Sequence, residues 1–276
     1  MGSGSNEIGI AITNGGNATV AEGGILTLTG SGGGLYSNSS GTQNYGVYFN
    51  NALLVGGTIS VTGIGGMGAT GALYGVLIDT SGLTAAVNGN ALTFINCTGG
   101  QGGNDNCGMR ISATLSISNG ALYFTNITGG GSSSTGNHGL LIDSGVIVQA
   151  PTLVGVDLLG GPGFGTNYGL YLNSGTLGSS TTNILSIQAS SLGLGSNEYG
   201  MLISGSLIVG NAGTMTLVGS GGGIYSNGSG TANYGIRLSG ASITAGTATF
   251  TGVGGAGGNG GNTGVVIDTS CSATIA

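Results

Sequence analysis

A glycine followed by an apolar-x-apolar triplet occurs nine times along the chain, and no other feature restricts the fold as strongly. The instances are IGIAI at Gly9, YGVYF at Gly46, YGVLI at Gly75, CGMRI at Gly108, HGLLI at Gly139, YGLYL at Gly169, YGMLI at Gly200, YGIRL at Gly235 and TGVVI at Gly264. Successive anchors lie 29 to 37 residues apart, with a mean of about 32. A period of this size marks stacked structural repeats. Each repeat holds three short segments of strand character and no helical period. The anchor comes first, as in Gly75-Val76-Leu77-Ile78-Asp79. A short alternating piece follows, such as Ala113-Thr114-Leu115-Ser116-Ile117. The third is the strongest, as in Leu26-Thr27-Leu28-Thr29, Ile59-Ser60-Val61-Thr62 and Leu122-Tyr123-Phe124. Side chains alternate across a strand, so Leu, Ile and Phe go to one face while Thr, Ser and Tyr go to the other. Three strands per turn, each with one face inward, predict an all-β, single-stranded parallel β-helix (a β-solenoid). About 32 residues per coil give eight to nine coils in one continuous unit over 1–276, and a right-handed sense is expected.

If coils stack, one offset should carry one chemistry. Two residues before the anchor glycine stand Asn44, Asn106, Asn137, Asn167, Asn233 and Asn262; one residue before it stand Tyr45, Tyr74, Tyr168, Tyr199 and Tyr234. Asn amides can bond up and down such a ladder and tolerate left-handed turn conformations, and stacked rings add to burial. The anchor glycine is expected either to take positive φ or to admit close backbone approach.

A longer repeat overlies the short one. GSGGGLYSNSSGTQNYGVYFN (Gly30 to Asn50) returns as GSGGGIYSNGSGTANYGIRLS (Gly219 to Ser239), matching at 14 of 21 positions. Gly46 to Gly235 and Gly75 to Gly264 are both 189 residues, so a six-coil block is partly duplicated. Gly4-Ser5-Asn6-Glu7 likewise matches Gly195-Ser196-Asn197-Glu198. The expectation is a segment of a longer repetitive protein, with no secretion signal after Met1 and no terminal cap over the open strand edges.

Composition then narrows function. Only 4% of the 276 residues are charged and net charge is −6, with Arg110 and Arg237 the only basic side chains apart from His138. Phosphate recognition needs Lys and Arg, so nucleic-acid binding is excluded, and docking on anionic lipid is disfavoured for the same reason. No apolar run is long enough to span a membrane as a helix. Disordered chains are poor in large apolar residues, whereas 39% of this chain is hydrophobic and regularly placed.

The cadence of GGTISVTGIGG (Gly56 to Gly66), GALYFTNITGGG (Gly120 to Gly131) and NYGVYFN (Asn44 to Asn50) resembles the β-strand-repeat passengers of bacterial surface exoproteins. These are the filamentous-haemagglutinin-like adhesins of two-partner secretion and the passengers of autotransporters. The resemblance covers essentially the whole chain. It implies a non-enzymatic, extracellular rod on a bacterial surface that adheres or self-associates, end to end or laterally, or continues into neighbouring coils of a longer parent.

Several residues bear on chemistry. Asp79, Asp143 and Asp268 share the offset four after the anchor glycine. Two coils separate Asp79 from Asp143, about 9.6 Å by strand spacing, near the upper separation used by inverting glycosidases. Asn50, Ser112, Asn173, Ser204 and Ser239 at the same offset favour a turn-capping ladder. The alternatives are thus a carbohydrate-active solenoid or, from outward pairs such as Thr27/Thr29, Ser60/Thr62 and Thr249/Thr251, an ice-binding one. His138 falls in the ring ladder, and no catalytic residue, cofactor or metal site is assigned; Asp105 is the only Asp in the glycine-rich turns. Cys97 and Cys107 flank one loop, either as a disulfide or as two separate buried thiols, with Cys271 apart. Two residues after the anchor, outward positions form a stripe containing Tyr48, Leu77, Leu141, Tyr171, Leu202 and Val266, interrupted by Arg110 and Arg237. Apolar stripes of this kind mark contacts, here lateral packing against another rod, unless the chain's own loops cover it.

Overall fold

The computed structural model describes residues 7–21, 23–33, 43–68, 71–131, 135–222, 232–256 and 261–276. Residues 4–6, 34–42 and 223–231, which belong to the matching stretches above, lie outside the described residues.

The chain is an all-β parallel solenoid, with no helix among the described residues. The anchor segments form strands such as Met109–Ile111, Leu140–Ile142 and Leu170–Leu172. They pair in parallel, so that Val47, Val76, Met109, Leu140, Leu170, Met201, Ile236 and Val265 stand in one column. The middle segments form a second ladder, for example Leu115–Ile117 beside Ile147–Gln149. Anchor and middle pieces run together as one strand over Val47–Val55 and Val76–Ala86, which joins both ladders into one bent sheet. The corner between them is left-handed at one offset, with φ of 57° at Asn14, 53° at Asn51, 54° at Ser174 and 69° at Gly240. Asn and Gly tolerate this region at low cost.

The long strands build a separate eight-stranded sheet from Ile25–Ser31 to Thr247–Val253. Its rungs define about seven turns of roughly 31 residues, slightly fewer than the eight to nine expected. The difference lies in the ends, where anchor and middle strands extend beyond the last long strand. Alternation works as the pattern predicts: Ile59, Val61, Leu92, Phe94, Leu122 and Phe124 face a continuous core, and the Phe94 and Phe124 rings stack 5.7 Å apart.

Three consecutive long strands carry an extra residue. Asn96, Asn126 and Asp157 have φ near 54° and drop out of the strand register. This bulge returns the next side chain to the core, so Cys97, Ile127 and Leu158 are fully buried. Unbulged coils place Gly63 or Gly219 at the corresponding point, where an added Cβ would lie 2.1 or 2.2 Å from the carbonyl oxygen of an anchor glycine. The anchor glycines are therefore selected by close approach, and none of them has positive φ.

Candidate functional site

The loop leading into each anchor strand carries two ladders that face away from the central core. In the first, a side-chain oxygen accepts the backbone N–H at the same offset one coil earlier. Asn44 Oδ1 accepts from Glu7 (3.0 Å), Asn106 from Leu73 (3.3 Å), Asn137 from Asn106 (3.2 Å), Asn167 from Asn137 (2.9 Å), Asn233 from Glu198 (3.0 Å) and Asn262 from Asn233 (3.2 Å). Glu198 fills the place of an Asn. It is fully buried, and its carboxylate accepts the N–H groups of Asn167 and Gly165, the Asn167 amide and the Ser191 hydroxyl. Burial pushes its pKa up despite those bonds. The signal for Glu198 was its offset, two before Gly200; a search confined to Asn passes over it.

The second ladder is aromatic. Tyr45 stacks on Tyr74 at 5.4 Å, His138 on Tyr168 at 4.9 Å, Tyr168 on Tyr199 at 5.0 Å and Tyr199 on Tyr234 at 5.1 Å. Cys107 takes the ring's place between Tyr74 and His138. The Nδ1 of His138 accepts the Tyr168 N–H (3.1 Å), which requires an unprotonated nitrogen, and burial lowers its pKa to about 3. Tyr45 is pushed up to about 12, and Tyr74 and Tyr168 also upward, mainly by burial.

These rings cover much of the outward stripe. Leu77 and Leu141 are buried with Tyr45, Tyr74 and Cys107 in a second apolar cluster, against which Tyr48 and Tyr171 pack. Leu202 and Val266 remain half-buried. Cys97 belongs to the central core and Cys107 to this outer cluster, so the coil wall separates two free thiols; burial raises both to about 12.

The aspartates obey a diagonal rule. At each, a side chain two after the anchor in one coil donates to the carboxylate four after the anchor in the next. Tyr48 Oη donates to Asp79 Oδ2 (2.9 Å), Arg110 Nε to Asp143 Oδ2 (2.8 Å), and Arg237 Nε and Nη2 to Asp268 Oδ2 (3.3 and 3.2 Å). Both guanidinium groups also reach back one coil, to the hydroxyls of Tyr74 and Tyr199, and lie 5.5 and 5.9 Å from those ring centroids. Ser112 Oγ donates to Asp143 (2.6 Å) and the Thr80 N–H to Asp79 (2.8 Å). The paired offsets were present in the sequence; the diagonal link between them was not deduced from it.

Asp79, Arg110 and Asp143 line one open cleft of about 390 Å³ with Tyr45, Tyr74 and Ser112. The cleft brings two carboxylates and one guanidinium beside the Tyr45 and Tyr74 rings. Among the described residues, no three His, Cys, Asp or Glu side chains come together as a metal cluster, and no helix is long and apolar enough to cross a membrane. On the long-strand sheet, Thr27, Ser60, Thr93, Tyr123, Val154, Ser186, Thr216 and Thr249 share one outward column, so the Thr rows are interrupted in the middle coils.

No protein-family model, curated protein or solved structure matches the chain.

Proposed function

We propose that the chain is a non-enzymatic structural and adhesive rod of an extracellular bacterial surface protein. The observation that carries this reading is the recurrence of the ladders at one offset from coil to coil. Asn, Glu198 and His138 side chains are committed to coil-to-coil hydrogen bonds, and Arg110 and Arg237 to diagonal ion pairs. Polar groups spent in this way fix one coil on the next and hold outward side chains at a rise of about 4.8 Å. Weak contacts made by such an array add across many copies. Strand edges at the first and last rungs would be covered by further coils of a parent or by a second molecule. Two arginines leave few trypsin-type cleavage points, which suits exposure outside a cell. The test is adhesion of beads bearing the purified chain to host-cell and polysaccharide surfaces, with electron micrographs of the same preparation. Rods that retain beads above the bare-bead level are expected; compact particles, or retention equal to bare beads, would overturn the reading.

A second reading, a carbohydrate-active solenoid, draws on the shared cleft of Asp79 and Asp143. Its test is release of reducing ends from a polysaccharide panel, abolished by Asp79→Asn or Asp143→Asn. The bonds already made to these carboxylates, from Arg110 and Ser112 to Asp143 and from Tyr48 to Asp79, weigh against it, since they tie both groups to neighbouring coils.

A further inference from the structure

The charges of this molecule are distributed unevenly around the coil. Both arginines and the three diagonal aspartates lie on the anchor ladder. The outer face of the long-strand sheet carries a single charge, Asp157 at the bulge. That face also holds half of the exposed large apolar side chains: Ile25 (72% exposed), Ile64, Val156 (36%), Ile184, Val218 (38%) and Val253 (61%). Between them stand the interrupted Thr and Ser columns, with Tyr123 and Gln188, so apart from Asp157 the surface carries no charge.

We propose that this face docks a second copy of the same chain, sheet against sheet. The proposal deepens the rod reading and rests on it, since it names the side by which rods join. Three arguments favour a second copy. Eight strands at about 4.8 Å, each about 20 Å long, offer roughly 700 Å², close to the ~800 Å² per partner of a stable interface. Parallel sheets are generally covered on both faces, and here only the inner one is covered by the molecule itself. Finally, two copies carrying net charge −6 meet with least repulsion where the surface carries only one charge, that of Asp157. Docking through the anchor ladder would instead desolvate the guanidinium and carboxylate pairs, which is costly. A two-fold arrangement places the same patch on both partners.

Sedimentation velocity over a concentration series tests this, using the full chain, the double variant Val156→Lys/Val218→Lys, the single variant Val156→Lys, and Ile147→Lys as a control on the middle-strand ladder, where Ile147 is also exposed. The chain and the control are expected to dimerise alike. The double variant should keep its β circular dichroism and raise the dimer dissociation constant about 100-fold or more, the scale of an uncompensated buried charge; if it misfolds, the single variant gives the same reading with a smaller shift. A monomer at every concentration would overturn the proposal. Association untouched by the lysines would overturn it too, because joining would then run through another surface. A monomeric chain whose thermal hysteresis the lysines abolish would assign the face to ice instead. Micrographs of the double variant separate the two levels: unpaired rods keep the rod reading, whereas compact particles from both proteins would remove it.

Discussion

At the scale of the residue, the anchor glycine does the most to define this fold. An added Cβ at Gly75 would lie 2.4 Å from the Gly108 carbonyl oxygen, 2.7 Å from that of Gly63 and 2.8 Å from the Thr98 nitrogen. All three are backbone atoms held by hydrogen bonds to neighbouring coils, so none can give way as a flexible side chain would. Overpacking a rigid site costs about 1–3 kcal/mol and occasionally more. Gly75→Ala is expected at or above the top of that range, about 3 kcal/mol, read as a fall in the denaturant midpoint with unchanged m-value. Gly145→Ala is a fitting comparison: its φ of 74° strains any side chain, but nothing lies within 4 Å of the added atom. Its cost should stay near 1 kcal/mol, the ordinary penalty for a left-handed residue. Equal losses at the two sites would show that backbone conformation, not the meeting of strands, selects the anchor glycine.

At the scale of the element, the ring ladder makes a pH prediction. His138 is held neutral between Tyr168 and the cluster around Cys107, with its ordinary pKa of 6.5 lowered to about 3 by burial and secondarily by Arg110. Below pH 6.5 the unfolded chain takes up a proton that the folded ring refuses until about pH 3. The contribution is complete above 6.5 and is lost as pH falls through that window, at up to about 1.4 kcal/mol per pH unit. Other groups titrate in the same range, Glu198 among them with the opposite sign, since its raised pKa makes protonation favour the fold. The comparison must therefore be between the chain and His138→Tyr, which restores the residue type found at Tyr168 and Tyr199. The variant should lose less stability than the parent between pH 7 and pH 5 by thermal melting; parallel curves would mean that the ring is protonated within the fold. Much of this was legible before any coordinates. Nine anchors and two constant offsets suffice to place Asn137, His138 and Tyr168, because stacking converts sequence offset directly into spatial neighbourhood. What escaped has a common cause. The bulge at Asn96, Asn126 and Asp157 inserts a residue, and the burial of Leu77 and Leu141 depends on a loop folding back over the strand. Strict alternation describes a strand with nothing above it, and neither event obeys it.

At the scale of the whole molecule, each coil touches only its neighbours, so stability should be nearly a sum over coils and interfaces. Deleting residues 140–169 tests this, because it joins Gly139 to Leu170 and preserves the anchor spelling. The deletion brings Met109–Ile111 beside Leu170–Leu172 and Ala121–Thr128 beside Ile184–Ser191. The bulged strand would then meet an unbulged one, a mismatch already accommodated where Thr152–Gly160 meets Ile184–Ser191. Asn137 would meet Glu198, taking over the bonds that Asn167 now makes. His138 would stack on Tyr199 in place of Tyr168. One diagonal pair, half-buried, is lost with Asp143, but the Arg110 guanidinium keeps the Tyr74 hydroxyl. The shortened chain should fold cooperatively, with β circular dichroism reduced in proportion to length and a melting temperature lowered less than by Gly75→Ala. Collapse of the whole structure on removing one coil would mean that the contacts are not confined to nearest neighbours. A solenoid assembled by duplication of blocks requires that independence, since each duplication sets coils together that were not neighbours before.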